Sequence, residues 1–434
     1  MTQALLDRVI LRDTPPEKEL PPIIRLEQVG AYAILDGGFA TDRSAFAPPK
    51  GGPDAAYWNR IRSQFDIVNG VTFFNNGTYC PPPRIVLEAQ KRWQRHLASY
   101  PQDSAATGLL EQVRARTAAL VNADPDEIAL TRSTTEGINL LTQGLDWQEG
   151  DEIILDRHDH FTAFQSFLNL TRRHGVKLVF VDLSAEPGSD ADIIAKYEAA
   201  ITSRTRILFL NWVNYRAGFR MPVKALAELG HRHDLIVSVD AAQAFGALPI
   251  DVVDSGIDHL AAPSHKWILG GPGAGFTFFS KRIIDRVWPI AGPAHVPGTP
   301  SGWRKTARKL DNHGPKNLAS EMGFLEAINF YETIGEDVFH DRLDYLSRLM
   351  RDGLDEIRWG RVLTPRLPGR AAALTAFHVG EDRSADEIAV LLWERFQIKV
   401  NSAAFASLNA LRISPHIYTS EAQVRYLVDS LATL

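Results

Sequence analysis

A single cysteine, Cys80, stands among 434 residues. One thiol cannot form an intrachain disulfide or supply a multi-cysteine metal site. Long apolar runs are missing too, with nothing near the about 18 uninterrupted apolar residues that a membrane-spanning helix needs. Charge of one sign is not concentrated: the net charge is −5, acidic and basic residues are interspersed, and no Lys/Arg run marks a nucleic-acid footprint. The opening residues, Met1 to Glu19, lack the basic–apolar–small plan of a secretory signal, so the cytoplasm is the expected location. What remains is ordinary globular composition, 45% hydrophobic and 23% charged, enough for one large core and a smaller one.

Residues 1–56 are rich in proline and glycine (Pro15-Pro16, Pro21-Pro22, Pro48-Pro49, Gly51-Gly52-Pro53). They read as an extended arm lying on the body or on a second subunit, with a disordered tail as the competing reading. Residues 57–315 alternate short apolar strands with amphipathic helices. Strand-like runs are Glu127–Thr131, Glu152–Leu155, Lys177–Val181, Arg206–Leu210, Leu235–Val239, Ile257–Ala261 and Gly275–Phe279; Arg84–Ser99, Thr162–Arg173 and Pro222–His233 carry helical spacing. That alternation predicts an α/β domain with a mainly parallel sheet covered on both faces. Residues 316–434 change pattern and predict a smaller α+β domain.

In open α/β sheets, ligands bind beyond the carboxyl ends of the strands, so the polar residues there carry the functional argument. Ser133-Thr134-Thr135-Glu136 follows the first strand. Its hydroxyls and N–H groups at a helix start suit a phosphate, although the same residues read equally well as a capping box. His160, in Asp156-Arg157-His158-Asp159-His160, could stack on a flat cofactor. A metal at these histidines is not expected, because the spacing of a metal-binding helix is missing. Asp240 follows the apolar run Ile236-Val-Ser-Val239, and a carboxylate buried at a strand tip needs a partner. Lys266, in Pro263-Ser264-His265-Lys266-Trp267, sits between an apolar strand and the Gly-rich turn Gly270–Gly275. Partial desolvation there would lower its pKa and suit it to Schiff-base chemistry, whereas a surface lysine is the plainer reading.

Each piece alone is unspecific, but their order is not. Thr134-Thr135, then His160, then Asp240-x-x-Gln243, then His265-Lys266, with the lysine 26 positions after the aspartate, resembles the class V aminotransferase-type enzymes that use pyridoxal 5′-phosphate. The resemblance covers about residues 57–434. FFNNGTYCPPP and SHKWILGGPGAGF look most like the isopenicillin N epimerase branch, and Asn214–Gly218 with GGPGAGF is similar to kynureninase. The resemblance implies a fold-type I transferase with a mainly parallel seven-stranded sheet and a homodimer with sites at the interface. It implies an enzyme acting on a small-molecule amino acid at Cα, epimerase-like or aminotransferase-like. A C–S or C–C β-lyase, or an oxidase on a modified amino acid, is the alternative, and a catalytically silent binding protein the non-enzyme one.

By matching position, Lys266 would bond to the cofactor and serve as acid/base, Asp240 would hold the ring nitrogen protonated, and His160 would stack on the ring. Gln243 would bind the ring oxygen. Thr134, Thr135, Tyr215, Ser264 and His265 would bind the phosphate. Arg412, in LRISPHIY, would clamp the substrate carboxylate, with Asn75 and Asn76 lining the entrance. No metal is implied. Three departures stand out. The stretch Val400–Phe405 lacks the loop cysteine of a persulfide-forming desulfurase, so that reaction is not expected. Pro263 stands where relatives often carry Ser or Thr. Pro315, in His313–Asn317, stands where many relatives place a phosphate-binding threonine from the other subunit. The pocket is expected to draw on the arm, the Asn75-Asn76 turn and residues 293–317.

Overall fold

Seven short apolar runs form one sheet because their side chains alternate between two cores. The computed structural model describes residues 42–101, 106–184, 186–291, 305–311, 314–367, 369–402 and 408–434. Most of the expected arm, much of the 293–317 segment and the centre of the 400–408 stretch therefore lie outside the described residues, including His313.

In chain order the first half contains α1 (Ala55–Arg62), β1 (Thr72–Phe73), α2 (Arg84–Ser99), α3 (Ala106–Leu120), β2 (Ile128–Thr131), α4 (Thr134–Gly144), β3 (Glu152–Asp156), α5 (Phe161–His174), β4 (Lys177–Val181) and α6 (Asp190–Ala200). Then come β5 (Thr205–Asn211), α7 (Val223–Arg232), β6 (Ile236–Asp240), α8 (Val252–Ser255), β7 (His259–Pro263), β8 (Gly275–Phe279), α9 (Leu318–Ile334) and α10 (Glu336–Leu354). The chain closes with β9 (Arg361–Val362), β10 (Thr375–His378), α11 (Ala385–Phe396), β11 (Ile398–Lys399), β12 (Asn401–Ser402), β13 (Ala410–Ile413) and α12 (Glu421–Ala432).

The large sheet runs β2-β8-β7-β6-β5-β3-β4. β8 is antiparallel to both neighbours, and the other pairs are parallel. On β5, Leu208 and Leu210 enter the core that holds α2, α3 and α9, whereas Ile207 and Phe209 enter a second core with α4 and α5. This period-two alternation, with both faces buried, is why the strands read as continuous apolar runs. The seven expected strands and the mainly parallel arrangement are present.

A four-stranded antiparallel sheet, β12-β13-β10-β9, builds a third core with α10, α11 and α12. The distant strand β1 pairs in parallel with β11, Thr72 opposite Ile398 and Phe73 opposite Lys399, and Phe74 joins that third core. α9 packs on α2 and α3 of the large sheet's helical layer. Among the described residues, no helix is long and apolar enough to cross a membrane.

Candidate active site

The parallel strands end at one edge, and a cavity of about 870 Å³ opens there. The large sheet contributes Ser133–Thr135, His160, Asn211, Tyr215, Arg216, Asp240, Gln243, His265 and Lys266 to its wall. Gly77–Tyr79 after β1, with Asp386, Asn401, Ser402 and Arg412 of the second sheet's layer, complete it.

Asp240 closes β6, and Lys266 follows β7 by three residues. These strands are direct neighbours, so the pleat alone carries the two groups to one place. Burial lowers the Lys266 ammonium to about 8, with Arg412 adding to the fall and Asp240 opposing it. Burial raises the Asp240 carboxyl, while Lys266 and the Ala242 N–H, which donates to Oδ1 at 2.8 Å, pull it back. Each charged group thus offsets part of the other's desolvation.

At the start of α4, Ser133 is the cap, its Oγ accepting from Glu136 N at 3.2 Å. Glu136 turns back to Arg132, accepting from its backbone N at 2.6 Å and pairing with its guanidinium at 2.7 Å. Beside this cap, Thr134 and Thr135 line the cavity at the helix's positive end.

His160 caps α5, with Nδ1 accepting from Thr162 N at 3.4 Å and lying 2.8 Å from Thr162 Oγ1. Its ring meets Tyr215 edge-on at 4.9 Å between centroids. Burial, then the charges of Lys266, Arg412 and Arg216, lower it to about 4, so the imidazole is neutral near pH 7. His265 is lowered to about 4 by burial and by Lys266, and stacks on Tyr79 at 4.7 Å.

Gln243 donates from Nε2 to Gly77 O at 2.7 Å and accepts at Oε1 from Trp267 Nε1 at 3.0 Å. Arg412 Nη2 donates to Thr78 Oγ1 and, at 3.4 Å, to Asn75 Oδ1, and Nη1 donates to Tyr215 O at 3.3 Å. All three acceptors are neutral. Burial lowers its guanidinium to about 10.

Two expected site residues are placed elsewhere. Ser264 is fully buried and donates its hydroxyl to Gly271 O at 2.6 Å and Ala274 O at 2.8 Å, shaping the Gly-rich turn instead of facing a phosphate. Asn76 is likewise buried, donating to Ser414 O at 2.7 Å and accepting from Tyr418 Oη at 2.5 Å. It ties the β1 segment to the second sheet and does not line the entrance. Asn75 reaches the cavity through two residues that line it, its Oδ1 accepting from Thr78 Oγ1 at 2.8 Å and from Arg412 Nη2 at 3.4 Å. Wall or support residues to which sequence reasoning gave no role include Thr78, Arg216 and Trp267. Thr78 and Tyr79 stand in the quoted FFNNGTYCPPP, and Trp267 directly follows the lysine; Arg216 beside Tyr215 carried no signal beyond its charge. Among the described residues, no cluster of three or more His, Cys, Asp or Glu side chains could hold a metal.

The family model for Aminotransferase class-V matches residues 71–427. The chain belongs to that family. Among curated proteins, this class V chain is similar to isopenicillin N epimerase of Streptomyces clavuligerus, 29% identical over 87% of this chain and 98% of that protein. It is similar also to a probable cysteine desulfurase of Pyrococcus abyssi, 26% identical over 86% and 96%. Its fold is similar to the solved cystine C–S lyase C-DES in complex with cysteine persulfide, TM-score 0.78 and 24% identity over 85% of this chain and 99% of that one.

The cofactor of this class V enzyme is pyridoxal 5′-phosphate, and the cavity fits it. A helix N-terminus with two threonines lies in the same wall as a half-buried lysine and a half-buried carboxylate, both desolvated by their surroundings.

Proposed function

We propose that the chain acts at the Cα–H bond of an amino-acid substrate, in an epimerase-like or aminotransferase-like reaction. The observation that carries this reading is the convergence of Lys266, Asp240 and Arg412 on one cavity from β7, β6 and β13.

When bound, the cofactor supplies an aldehyde for covalent attachment and a ring that withdraws electrons from Cα. Lys266 would be the attachment residue, and its amine would be the base that takes the Cα proton. Its pKa of about 8 suits both roles, since the neutral amine is accessible near physiological pH. Asp240 would hold the ring nitrogen in its protonated form. Gln243, its amide fixed by Trp267 and Gly77, would donate its second Nε2 proton to the ring oxygen. Neutral His160 would cover the ring face, and Thr134, Thr135, Tyr215 and His265, which line the cavity, would hold the phosphate. Arg412 holds the substrate carboxylate through its fork, and Asn75 steadies Arg412. With the carboxylate fixed, a proton returned to Cα by Lys266 on the face it left would restore the centre, whereas inversion would need a proton delivered to the opposite face by another donor.

Persulfide-forming desulfuration is not part of the proposal. The 400–405 stretch has no cysteine, and the Cys80 thiol is buried and pushed well above its usual pKa. The same missing cysteine favours one second reading, β-elimination, which uses the same lysine and needs no sulfur acceptor. The arm over 1–56, the large domain over 57–315 and the small domain over 316–434, as well as a cytoplasmic homodimer, belong to the same proposal, and the dimer is checked by analytical ultracentrifugation.

Incubation of the pyridoxal-phosphate-loaded protein with candidate amino acids in D2O tests the reading. Deuterium at Cα with nitrogen retained supports epimerisation; a 2-oxo acid without free ammonia supports transamination, and one with ammonia supports elimination. No visible band after adding the cofactor, or no Cα exchange with any amino acid, would sink the enzyme reading in favour of a silent binding protein.

A further inference from the structure

Arg412 shares its row of the second sheet with another polar side chain. β13 pairs antiparallel with β12 on one side and β10 on the other, which sets Asn401 opposite Arg412 on β12 and Ala376 opposite it on β10. Residues directly opposite in such a ladder point to the same face, their Cβ atoms about 4.5–5.5 Å apart. The adjoining residues Val400, Leu411, Ile413 and Phe377 are buried in the third core, so Asn401, Arg412 and Ala376 take the other face. Ala376 is fully buried there against the core of the large sheet. Asn401 is half-buried and lines the cavity together with Arg412. Ser402, the next residue, donates its hydroxyl to Asp386 on α11, which anchors the end of β12.

The guanidinium is steadied from the large-sheet side, where Thr78 Oγ1, Asn75 Oδ1 and Tyr215 O accept from its Nη atoms. On the β12 side its neighbour in register is the Asn401 amide. A carboxylate offers about four acceptor positions on two oxygens, and a guanidinium fork fills one on each. A neutral amide beside the fork can donate to a third without burying a second charge. Such a donor fixes the plane of the carboxylate, and with it the direction of the bonds at Cα. Resting on the reading of Arg412 as the clamp for the substrate carboxylate, we propose that Asn401 is a second substrate-binding residue, donating from Nδ2 to a carboxylate oxygen that Arg412 holds.

The test is a spectral titration of the cofactor-loaded protein with amino acids and their α-carboxamides, alanine with alaninamide, methionine with methioninamide, and phenylalanine with phenylalaninamide, each as both enantiomers. The readout is the ratio of the two affinities. In wild type at least one acid is expected to bind about a hundredfold more tightly than its amide, and Arg412→Met should bring that ratio to about one. Asn401→Ala is expected to lower the ratio about tenfold, as befits one lost hydrogen bond to a charged group. Asn401→Asp keeps the shape but sets a like charge beside the carboxylate, and should lower it further. An unchanged ratio in either Asn401 variant overturns the inference. So does a loss in which acid and amide weaken equally, which would leave Asn401 a wall residue. A wild-type ratio near one for every pair, an Arg412→Met ratio equal to that of wild type, or a cofactor band that no ligand perturbs would instead overturn the underlying reading of Arg412 and the cavity.

Discussion

The indole N–H of Trp267 donates to Oε1 of Gln243 at 3.0 Å, which orients the glutamine amide with its nitrogen toward Gly77 and the cavity. The residue after Lys266 thus acts through a second side chain. Behind the indole stacks His416, at 5.6 Å between centroids, whose Nε2 lies 3.1 Å from Trp267 O.

Trp267→Phe removes this donor without removing Gln243. The freed amide can turn, so the visible band of the cofactor-loaded protein is expected to shift in position or in its pH midpoint. Stability falls by about 1–3 kcal/mol from the lost hydrogen bond and the space left behind. Urea unfolding and absorption spectra read the two effects separately. An unchanged spectrum with lowered stability would leave Trp267 a packing residue.

The pKa of about 8 at Lys266 gives a direct pH dependence. In cofactor-free protein, covalent capture of pyridoxal phosphate, fixed by borohydride, is expected to quicken as pH rises and to level off above about 8. Asp240 raises this pKa, so Asp240→Asn should move the midpoint lower. Lys266→Ala should give no fixed adduct at all. Capture that persists in that variant would move the attachment point to another lysine.

Glu321 is buried at 3% exposure, with one oxygen lacking a hydrogen-bond partner among the described residues. Burial pushes its carboxyl up to about 8 from 4.5, with Lys316 opposing. The fold therefore favours the protonated acid. Between about pH 4.5 and 8 the unfolded chain releases a proton that the folded chain keeps, so this group's contribution falls as pH rises through that window. Glu321→Gln escapes the loss, and at pH 8.5 is expected to exceed wild type by on the order of 2–4 kcal/mol relative to their difference at pH 4. Denaturant midpoints at both pH values check it; an equal difference at both would refute the assignment.

Gly218 has φ +73°, and a Cβ there would lie 2.1 Å from the carbonyl oxygen of Leu374. Gly218→Ala combines left-handed strain with a backbone collision, and is expected to cost about 2–4 kcal/mol. Because Tyr215 and Arg216 precede it in the same turn, cofactor affinity should fall with stability. Thermal unfolding and a cofactor titration check the pair, and a neutral result in either would separate the turn from the site.

The sheet was legible because its strands are buried on both faces and read as unbroken apolar runs. Lys177–Val181 and Gly275–Phe279 match the expected bounds, and the others are shifted by one or two residues. The lysine and the aspartate were legible because strand neighbours place them by register. Asn76 and Ser264 misled for one physical reason. A polar side chain beside a site can be consumed by the backbone that builds it, and only the three-dimensional partners, Ser414 and Tyr418 or Gly271 and Ala274, reveal that. Arg216 was hidden for the opposite reason: buried cations in a ligand cavity and exposed surface arginines look identical along the chain.

The pairing of β1 with β11 sets a clock on synthesis. Thr72 and Phe73 leave the ribosome long before their partners Ile398 and Lys399. Gly77, Thr78 and Tyr79, which follow β1 directly, wall the cavity, and Thr78 waits also for Arg412. A nascent chain that already displays Lys266 therefore still lacks one side of the chamber, and the cavity can close only after β11 and β13 have been made.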